Sequence, residues 1–553
     1  MIGKCLNFRD KLLITFLLLA IGASAVYLGG YHYLQITEAI PKKGGEYIEG
    51  IVGQPLYVNP LLSQTSEVDS NISQLVYSGL FKYDRDGNVV QDLAESYSIS
   101  EDKKEYTINV RKDAKWHDGQ SVTAQDVLFT FNLIQDPSYK SLLLRQSFTG
   151  VSFRLIDDYT VVFSLKNPYI GFLDNLTVGI LPKHIWENIA PERFSLAEYN
   201  LQPIGCGPYF FSDFQKDAEG NILTYKLAAF KDYHGSVPFI SKITFNFYPE
   251  NNLLIEAYNK KEVMGMASIT PGNLKDLKNV KSTRINELLI PRYFSVFFNQ
   301  TKSVPLAYDE VRKALNLSID REEIIETVMY GKGTALASPF LPNMNGYVDS
   351  GTLSPNLDEA GKLLEDAGWK MDQNENVRKK DDEILQFELV TANYPELVST
   401  AELLKQQWEK IGARAEIKVL SASDLDQNYI RTREYDSLLF GQAISFNGDL
   451  YSFWHSSQKH DPGLNLSLFD NKDADEILES ARQEADESKR AEAYRKFQEI
   501  LAQEVPAVFL YSRHYLYPTS TKVHGIEIKN VNSSHQRFVD VCNWYLKTKR
   551  VFK

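Results

Sequence analysis

Hydrophobic and polar positions alternate along residues 106–111, which read YTINVR. A period of two is typical of a half-buried β-strand, because successive side chains of a strand point to opposite faces. The motif WHDG at residues 116–119 predicts a tight turn after this strand, since glycine readily adopts a positive φ. Thr123 stands three residues before Asp126, the spacing of a helix capping box. This stretch therefore predicts a strand, a turn and a capped helix.

Helical spacing is common in the second half of the chain. Asn356 is placed to cap a helix that ends before Gly368, and Ser399 with Glu402 forms a second capping-box pattern. A further apolar stripe begins near Ser488. Apolar runs rich in aromatic residues predict strands at residues 292–299 and 507–518, and residues 413–420 predict a further strand directly after a helix. Helices that alternate with strands favour an α/β layered architecture.

The start of the chain has the pattern of a membrane segment. Residues 12–37 contain no Asp, Glu, Lys or Arg, and basic residues precede them. A bilayer takes about 20 apolar residues to cross, and the basic flank favours a cytoplasmic start, residues 1–11. The alternative is a signal peptide cleaved after the Ala-Ser-Ala motif at residues 23–25. Because the apolar run continues beyond that motif, we expect an uncleaved anchor at residues 12–34 and a polar tether at residues 35–45.

Composition narrows the class of protein. A chain of 553 residues predicts two or three domains, and 43% hydrophobic with 24% charged residues is typical of a globular protein. The net charge of −12 argues against a nucleic-acid binder, which needs a basic face. The three cysteines lack the spacing of a zinc site. We expect Cys206 to be a small buried residue, while a disulfide between Cys206 and Cys542 stays an open alternative.

The sequence lacks the common catalytic motifs, including H-E-x-x-H, G-x-S-x-G and the P-loop. His455 and His460 lie five residues apart and are expected at the surface rather than on a metal. The acidic residues 470–475 lack the spacing of a calcium loop and predict the solvated start of a helix. We therefore expect a protein that is not an enzyme and that carries no cofactor and no metal.

Two blocks of motifs carry a family resemblance. The first contains GL at Gly79, LAESYSIS, YTINVRKDAKWHDG and TAQDV in order; the second contains VFFNQT, DEVRKALNLSIDR and GKGTA. Together they resemble the family 5 solute-binding proteins, the extracytoplasmic receptors of ABC importers for oligopeptides, dipeptides or nickel. The resemblance covers about residues 46–530.

The resemblance implies an α/β, two-lobed fold of the periplasmic-binding-protein type (type II), with a hinge and an enlarged first lobe. An N-terminal transmembrane helix is added to it. The implied divisions are lobe I at residues 46–290 with an inserted subdomain at about 80–200, lobe II at 291–506, and a return to lobe I at 507–553.

The resemblance also suggests where a ligand binds. Peptide receptors of this family pair the ligand's amino group with an aspartate that follows a Gly-Trp. Here Gln442 stands where the tryptophan is expected and Ser445 where the aspartate is expected, and Asp449 substitutes only if the loop is shifted. The candidate ligand-binding residues are Gln54, Tyr57, Tyr77, Phe129, Gln442, Ala443, Ser445, Asn447, Asp449 and Trp454.

The implied function is that of a membrane-anchored receptor facing the cell surface or periplasm. It binds an oligopeptide or similar solute and delivers it to the permease and ATPase subunits of an ABC importer. A monomer without nucleic-acid partners is expected. Alternative ligands are an oligosaccharide or a nickel chelate. Alternatives of another class are a secreted glycoside hydrolase, which requires a carboxylate pair across the cleft, and a peptide-gripping chaperone.

Overall fold

The computed structural model describes residues 7–139, 142–169, 171–342, 344–349, 354–444, 446, 448–484 and 486–553. Its helices are α1 (Phe8–Ile36), α2 (Glu67–Val76), α3 (Ala124–Gln135), α4 (Leu142–Ser147), α5 (Phe172–Asn175), α6 (Lys183–Trp186), α7 (Asn251–Asn259), α8 (Val304–Ala307), α9 (Asp309–Leu317), α10 (Arg321–Val328), α11 (Leu357–Asp366), α12 (Pro395–Glu409), α13 (Ala422–Asp424), α14 (Tyr451–Trp454), α15 (Lys472–Gln483) and α16 (Glu487–Glu504).

Its strands are β1 (Thr37–Lys42), β2 (Glu46–Val52), β3 (Phe81–Tyr83), β4 (Val89–Gln91), β5 (Ala94–Ile99), β6 (Glu105–Val110), β7 (Val151–Asp157), β8 (Thr160–Leu165), β9 (Tyr209–Lys216), β10 (Ile222–Ala229), β11 (Lys242–Tyr248), β12 (Gly265–Met266), β13 (Thr283–Leu289), β14 (Arg292–Phe298), β15 (Gly333–Ala335), β16 (Lys370–Asp372), β17 (Val377–Lys380), β18 (Glu383–Ile384), β19 (Gln386–Ala392), β20 (Arg414–Leu420), β21 (Ser437–Ala443), β22 (Ala507–Ser520) and β23 (Lys547–Phe552).

Most strands belong to one mixed sheet in the order β20-β19-β21-β14-β22-β12-β2-β11-β10-β9, with β13 and β15 also paired to β22. The pairs β2–β11 and β19–β20 are parallel, whereas β22 is antiparallel to β13 and β14. Separate sheets are formed by β5-β6-β8-β7, by β3-β4 and by β16-β17-β18. The combination of helices and a mixed sheet is the α/β architecture that the sequence predicts.

The buried side chains form two large hydrophobic clusters. We call the first core the cluster that draws on residues 47–267 and 517–544, and the second core the cluster of residues 293–511. β22 contributes Tyr511 to the second core and Tyr517 to the first, so this 14-residue strand passes from one to the other. The short connection between β13 and β14 is the other place where the chain changes core. The predicted lobe boundaries fall near these crossings and stay a prediction.

Local signals predicted several element boundaries. Thr123 caps α3 with both bonds of the capping box to Asp126, and Asn356 caps α11 by accepting from the Glu359 N–H. Gly119 has φ +93°, as the predicted turn requires. The predicted helix start at Ser399 is wrong, because α12 begins four residues earlier with Pro395 at its first turn. A proline there loses no hydrogen bond and its ring presets a helical φ.

The N-terminal helix α1 exposes its whole surface and is long and apolar enough to cross a membrane. A signal sequence has the same properties. β1 follows the helix directly and pairs antiparallel with β23 along its six residues. Much of the predicted tether is therefore a paired strand.

Cys206 is fully buried, as predicted, and Cys206 and Cys542 are both free thiols. Burial raises the pKa of Cys542 to about 12, so this thiol stays protonated at neutral pH. Within the described ranges, no group of three or more His, Cys, Asp or Glu side chains is placed to hold a metal ion.

Candidate functional site

A cavity of about 840 Å³ opens beside helix α2 and is within the usual size range of ligand pockets. Three segments supply most of its lining: residues 63–79, the β3–β4 hairpin with Asp92, and residues 533–543 near the end of the chain. The lining is rich in polar side chains, among them Gln64, Ser66, Glu67, Ser70, Ser73, Gln74, Lys82, Arg85, Asp92, Ser534, His535 and Asp540.

Helix α2 has one apolar and one polar side. It buries Val68, Ile72 and Leu75 in the first core. Ser70 and Gln74, four residues apart, lie on one side of the helix and line the cavity. The Gln74 side chain is half-buried and makes no hydrogen bond within the described part of the chain, so both of its polar functions are available to a ligand.

A buried ion pair fastens the cavity wall to the sheet. Arg537 and Glu49 are both fully buried, with 2.9 Å between Nη2 and Oε1. Arg537 also donates to Asn71 Oδ1 of α2, at 2.7 Å. Burial raises the pKa of Glu49, and the Arg537 charge opposes that rise. Removing one partner leaves a buried charge unpaired, which costs about 3–5 kcal/mol. This pair therefore holds residues 533–543 in place.

A second charged cluster lies at the rim. Asp92 contacts Lys82 Nζ and His234 Nε2, each at 3.0 Å. Burial raises the pKa of Asp92, but the hydrogen bond from His234 and the charge of Lys82 outweigh burial and lower it to about 2. The carboxylate thus stays ionised and is already paired with the Lys82 cation.

The second core reaches this site through the loop after β21. Phe446 N–H donates to Asn532 Oδ1 at 3.2 Å, next to cavity-lining Ser533. Gly87 of the β3–β4 turn lies beside Phe446 and Asn530. The cavity lining therefore comes from the first-core side, and a loop of the second core contacts Asn532, the neighbour of lining residue Ser533.

Comparison with known proteins defines the family. The family model described as "Bacterial extracellular solute-binding proteins, family 5 Middle" matches residues 88–463, more than half of the chain. The chain belongs to this family. The predicted resemblance is confirmed, and membership in a family of solute-binding proteins confirms that the chain is not an enzyme.

The sequences of several characterised relatives align with most of this family 5 chain. The oligopeptide-binding protein AppA of Bacillus subtilis (strain 168) is 28% identical over 482 residues, which cover 85% of this chain and 87% of that protein. The dipeptide-binding protein of Escherichia coli (strain K12) is 26% identical over 520 residues, which cover 88% of this chain and 93% of that protein.

Solved structures agree with the fold. The structure of AppA from Bacillus subtilis in complex with a nonapeptide has a TM-score of 0.69 at 26% identity and covers 92% of this chain and 100% of its own. NikZ from Campylobacter jejuni in complex with Ni(L-His) has a TM-score of 0.72 at 26% identity, with coverage of 92% and 100%. The family 5 chain thus has the mixed α/β fold of periplasmic binding proteins.

The predicted first-core residues are dispersed. Tyr77 lines the cavity and is buried, and its hydroxyl lacks a hydrogen-bond partner among the described residues. Gln54 is exposed and accepts from Ile222 N–H at 3.3 Å, while Tyr57 is partly buried. Phe129 packs against the first core from α3. Of these residues, only Tyr77 lies at the cavity, and their contact with a ligand stays a prediction.

The predicted second-core residues are mostly engaged inside the protein. Gln442 is buried, accepts from the Tyr293 hydroxyl and donates to Leu464 O at 2.7 Å. Trp454 is fully buried and donates its indole N–H to the same tyrosine hydroxyl at 3.2 Å. Ala443 is exposed at the end of β21. Ser445 and Asn447 lie outside the described residues.

Asp449 is largely buried and already has strong partners. Its Oδ2 lies 3.1 Å from Arg482 Nε, and its Oδ1 accepts from the Tyr451 N–H at 3.1 Å. Burial raises the pKa of Asp449, while the Arg482 charge lowers it. The Arg482 guanidinium lies over the rings of Tyr451 and Tyr169, at 4.5 and 5.2 Å from their centroids. Tyr169 packs on the first core, so Arg482 connects the two cores.

Sequence reasoning missed most of the cavity lining. Residues 533–543 carry no motif that singles them out, because their role depends on the pairing of Arg537 with Glu49, 488 residues away. Helix α2 did carry a signal: polar residues recur three to four positions apart opposite its apolar stripe.

Proposed function

We propose that this chain is the substrate-binding component of an ABC importer and that it binds peptides outside the membrane. The observation that carries the proposal is the roomy polar cavity of the first core, beside which a loop of the second core contacts Asn532. Hydrogen-bonding groups such as Gln74 suit the amide groups of a peptide backbone. The names of the relatives support the same ligand class, since they bind oligopeptides and dipeptides.

Under this proposal, peptide binding is coupled to the closure of two lobes around a hinge. The lobes correspond to the two cores, and the hinge to the two crossings at β22 and at the β13–β14 connection. A ligand that contacts both sides binds the closed state more tightly and shifts the population toward it. The work of the protein is this differential stabilisation, after which the closed receptor, a monomer, delivers its peptide to the permease.

The proposed location is the outer face of the membrane, with α1 as an uncleaved anchor. The helix is continuous from Phe8 to Ile36, well beyond the Ala-Ser-Ala motif. N-terminal sequencing and electrophoretic size of the mature protein test the anchor. A mature chain that begins before residue 12 supports it, whereas one that begins at Val26 identifies α1 as a signal peptide instead.

The first test is a thermal-shift series on the full chain in detergent. Ligands are free peptides, the same peptides with acetylated amino groups, oligosaccharides and nickel–histidine. A ligand that binds the folded state raises Tm by linkage, RT ln(1 + [L]/Kd). We expect peptides to raise it. Stabilisation by sugars alone, or by nickel–histidine alone, contradicts the peptide assignment and selects another ligand of the family.

Gln74→Leu tests the cavity itself. The change preserves the side-chain size and breaks no internal hydrogen bond, so the Tm of the ligand-free variant should equal that of the native protein. Loss of one or two hydrogen bonds to the peptide should raise Kd about three- to tenfold, measured by calorimetry. The matched control is Gln406→Leu on the exposed side of α12. Equal Kd values for the two variants contradict the placement of the ligand at this cavity.

A further inference from the structure

The junction between α1 and the body is built rather than loose. β1 and β23 form a two-stranded ribbon, residues 37–42 and 547–552, in direct continuation of the helix. Lys553 N–H donates to Ile36 O at 3.0 Å. Arg550 donates to Leu34 O at 3.0 Å and to Thr37 O at 2.8 Å, at the end of the helix where carbonyls lack partners. The ribbon therefore ties the end of the helix to the rest of the protein.

The ribbon has a charge opposite to that of the whole chain. Residues 37–43 and 547–553 carry six basic side chains and one acidic one, although the net charge of the protein is −12. Lys42, Lys547 and Lys549 lie on one face, because directly opposed residues of a ribbon share a face. The side chains of β23 are exposed or partly exposed. These cations are therefore available to an external anionic surface.

Its position matches the headgroup region of a bilayer. The uncharged part of α1 that begins at residue 12 is about 37 Å long at 1.5 Å per residue, against about 30 Å of hydrocarbon. About 20 residues from residue 12 cross that thickness, so the hydrocarbon ends close to Tyr31, about one helical turn before Leu34, whose carbonyl accepts from Arg550. Tyr31 and Tyr33 are exposed there, as aromatic residues are at membrane interfaces. Phe552, which pairs with Thr37, is 73% exposed.

We propose that the β1–β23 ribbon binds anionic phospholipid headgroups at the outer end of α1. This inference rests on the proposal that α1 spans a membrane. Each basic side chain near an anionic surface adds to the electrostatic attraction, which decays over a Debye length of about 8–10 Å. Together with the hydrogen bonds to the end of the helix, the contact fixes the orientation of the cores above the membrane.

The test uses the full chain with Phe552→Trp in nanodiscs of brominated lipid, with or without phosphatidylglycerol. The six native tryptophans are fully buried and give a constant background. We expect the introduced indole to be quenched at least about twofold more in anionic discs, and the difference to vanish at ~500 mM salt. Lys547→Gln with Lys549→Gln should abolish the difference as well. Lys522→Gln with Lys529→Gln, exposed lysines outside the ribbon, should preserve it.

The outcomes separate the ribbon from the rest of the proposal. Equal quenching in anionic and neutral discs, or a difference that survives the ribbon substitutions, overturns the lipid contact. A chain that fails to co-elute with the discs overturns the anchor and the lipid contact together. Peptide-induced stabilisation, measured on the same samples, reports the proposed function independently of both.

Discussion

His117 connects two turns of the first core through both of its ring nitrogens. Nδ1 accepts from the Gly205 N–H and Nε2 donates to Gly207 O, each at 3.1 Å. This pattern requires the neutral imidazole, because a proton on Nδ1 would face another donor. Burial lowers the pKa of His117 from 6.5 to about 4, against the opposing charge of Asp118. Burial and the Arg537 charge likewise lower the pKa of His535 to about 4.

The lowered pKa predicts a loss of stability in acid. Between pH 6.5 and 4 the unfolded chain binds more protons than the folded chain, so the stability from neutral His117 is complete above pH 6.5 and is lost as pH falls toward 4. The cost reaches about 3 kcal/mol. Urea unfolding across this range should show a shallower pH dependence for His117→Gln. The exposed His460→Gln should retain the native slope, and an unchanged slope for His117→Gln contradicts the assignment.

Partners near in sequence could be predicted at the residue scale, and distant partners could not. The capping of α3 by Thr123 depends on a residue three positions away and is visible in the sequence. The environment of Trp454 depends on Tyr293, 161 positions away, and the single-sequence pattern carries no trace of it. From the sequence alone, an aromatic residue in such a segment fits a position in the ligand cleft and a position in the core equally well.

Helix α15 sets the role of Asp449 at the scale of elements. It carries Arg482, which pairs with Asp449 beside the start of α14. We expect Asp449 to position Arg482 rather than to bind the ligand's amino group. Asp449→Asn leaves a cation without its carboxylate and should cost about 1–3 kcal/mol of stability.

The distinguishing measurement for Asp449→Asn is the ratio of Kd values for a free peptide and its acetylated form. A positioning role predicts that the substitution weakens both to the same degree and leaves the ratio unchanged. Selective loss of the free peptide shows that Asp449 recognises the amino group after all. Asp426→Asn, whose carboxylate pairs with Arg431 on an exposed surface, serves as the matched control.

Elements with a clear period could be predicted, whereas their assembly required long-range pairing. The strand at 106–111 and the helices after Asn356 and near Ser488 appear at or within a few residues of their predicted places. The pairing of β1 with β23 joins residues more than 500 positions apart and converts an expected tether into a ribbon. Neither strand has enough hydrophobic character to reveal a partner.

At the scale of the molecule, the contact between Arg482 and Tyr169 joins the two cores directly. Because the contact is made across the proposed hinge motion, it should favour the closed state. A cation–π contact contributes about 1 kcal/mol. Tyr169→Leu removes the ring face and leaves the Asp449–Arg482 pair intact. We therefore expect a larger open fraction and a peptide Kd about fivefold higher, as expected for a receptor whose competent state is less populated.

Small-angle X-ray scattering with and without saturating peptide measures the closure, and calorimetry measures Kd. The control is Tyr159→Leu, because the Tyr159 ring lies under Lys112 at 5.4 Å within one core. That variant loses a similar contact, so its stability should fall slightly while its Kd and its ligand-induced compaction stay native. If Tyr169→Leu and Tyr159→Leu bind peptide equally well, the contact between the cores does not control closure, and the hinge equilibrium depends on the ligand and the β22 crossing alone.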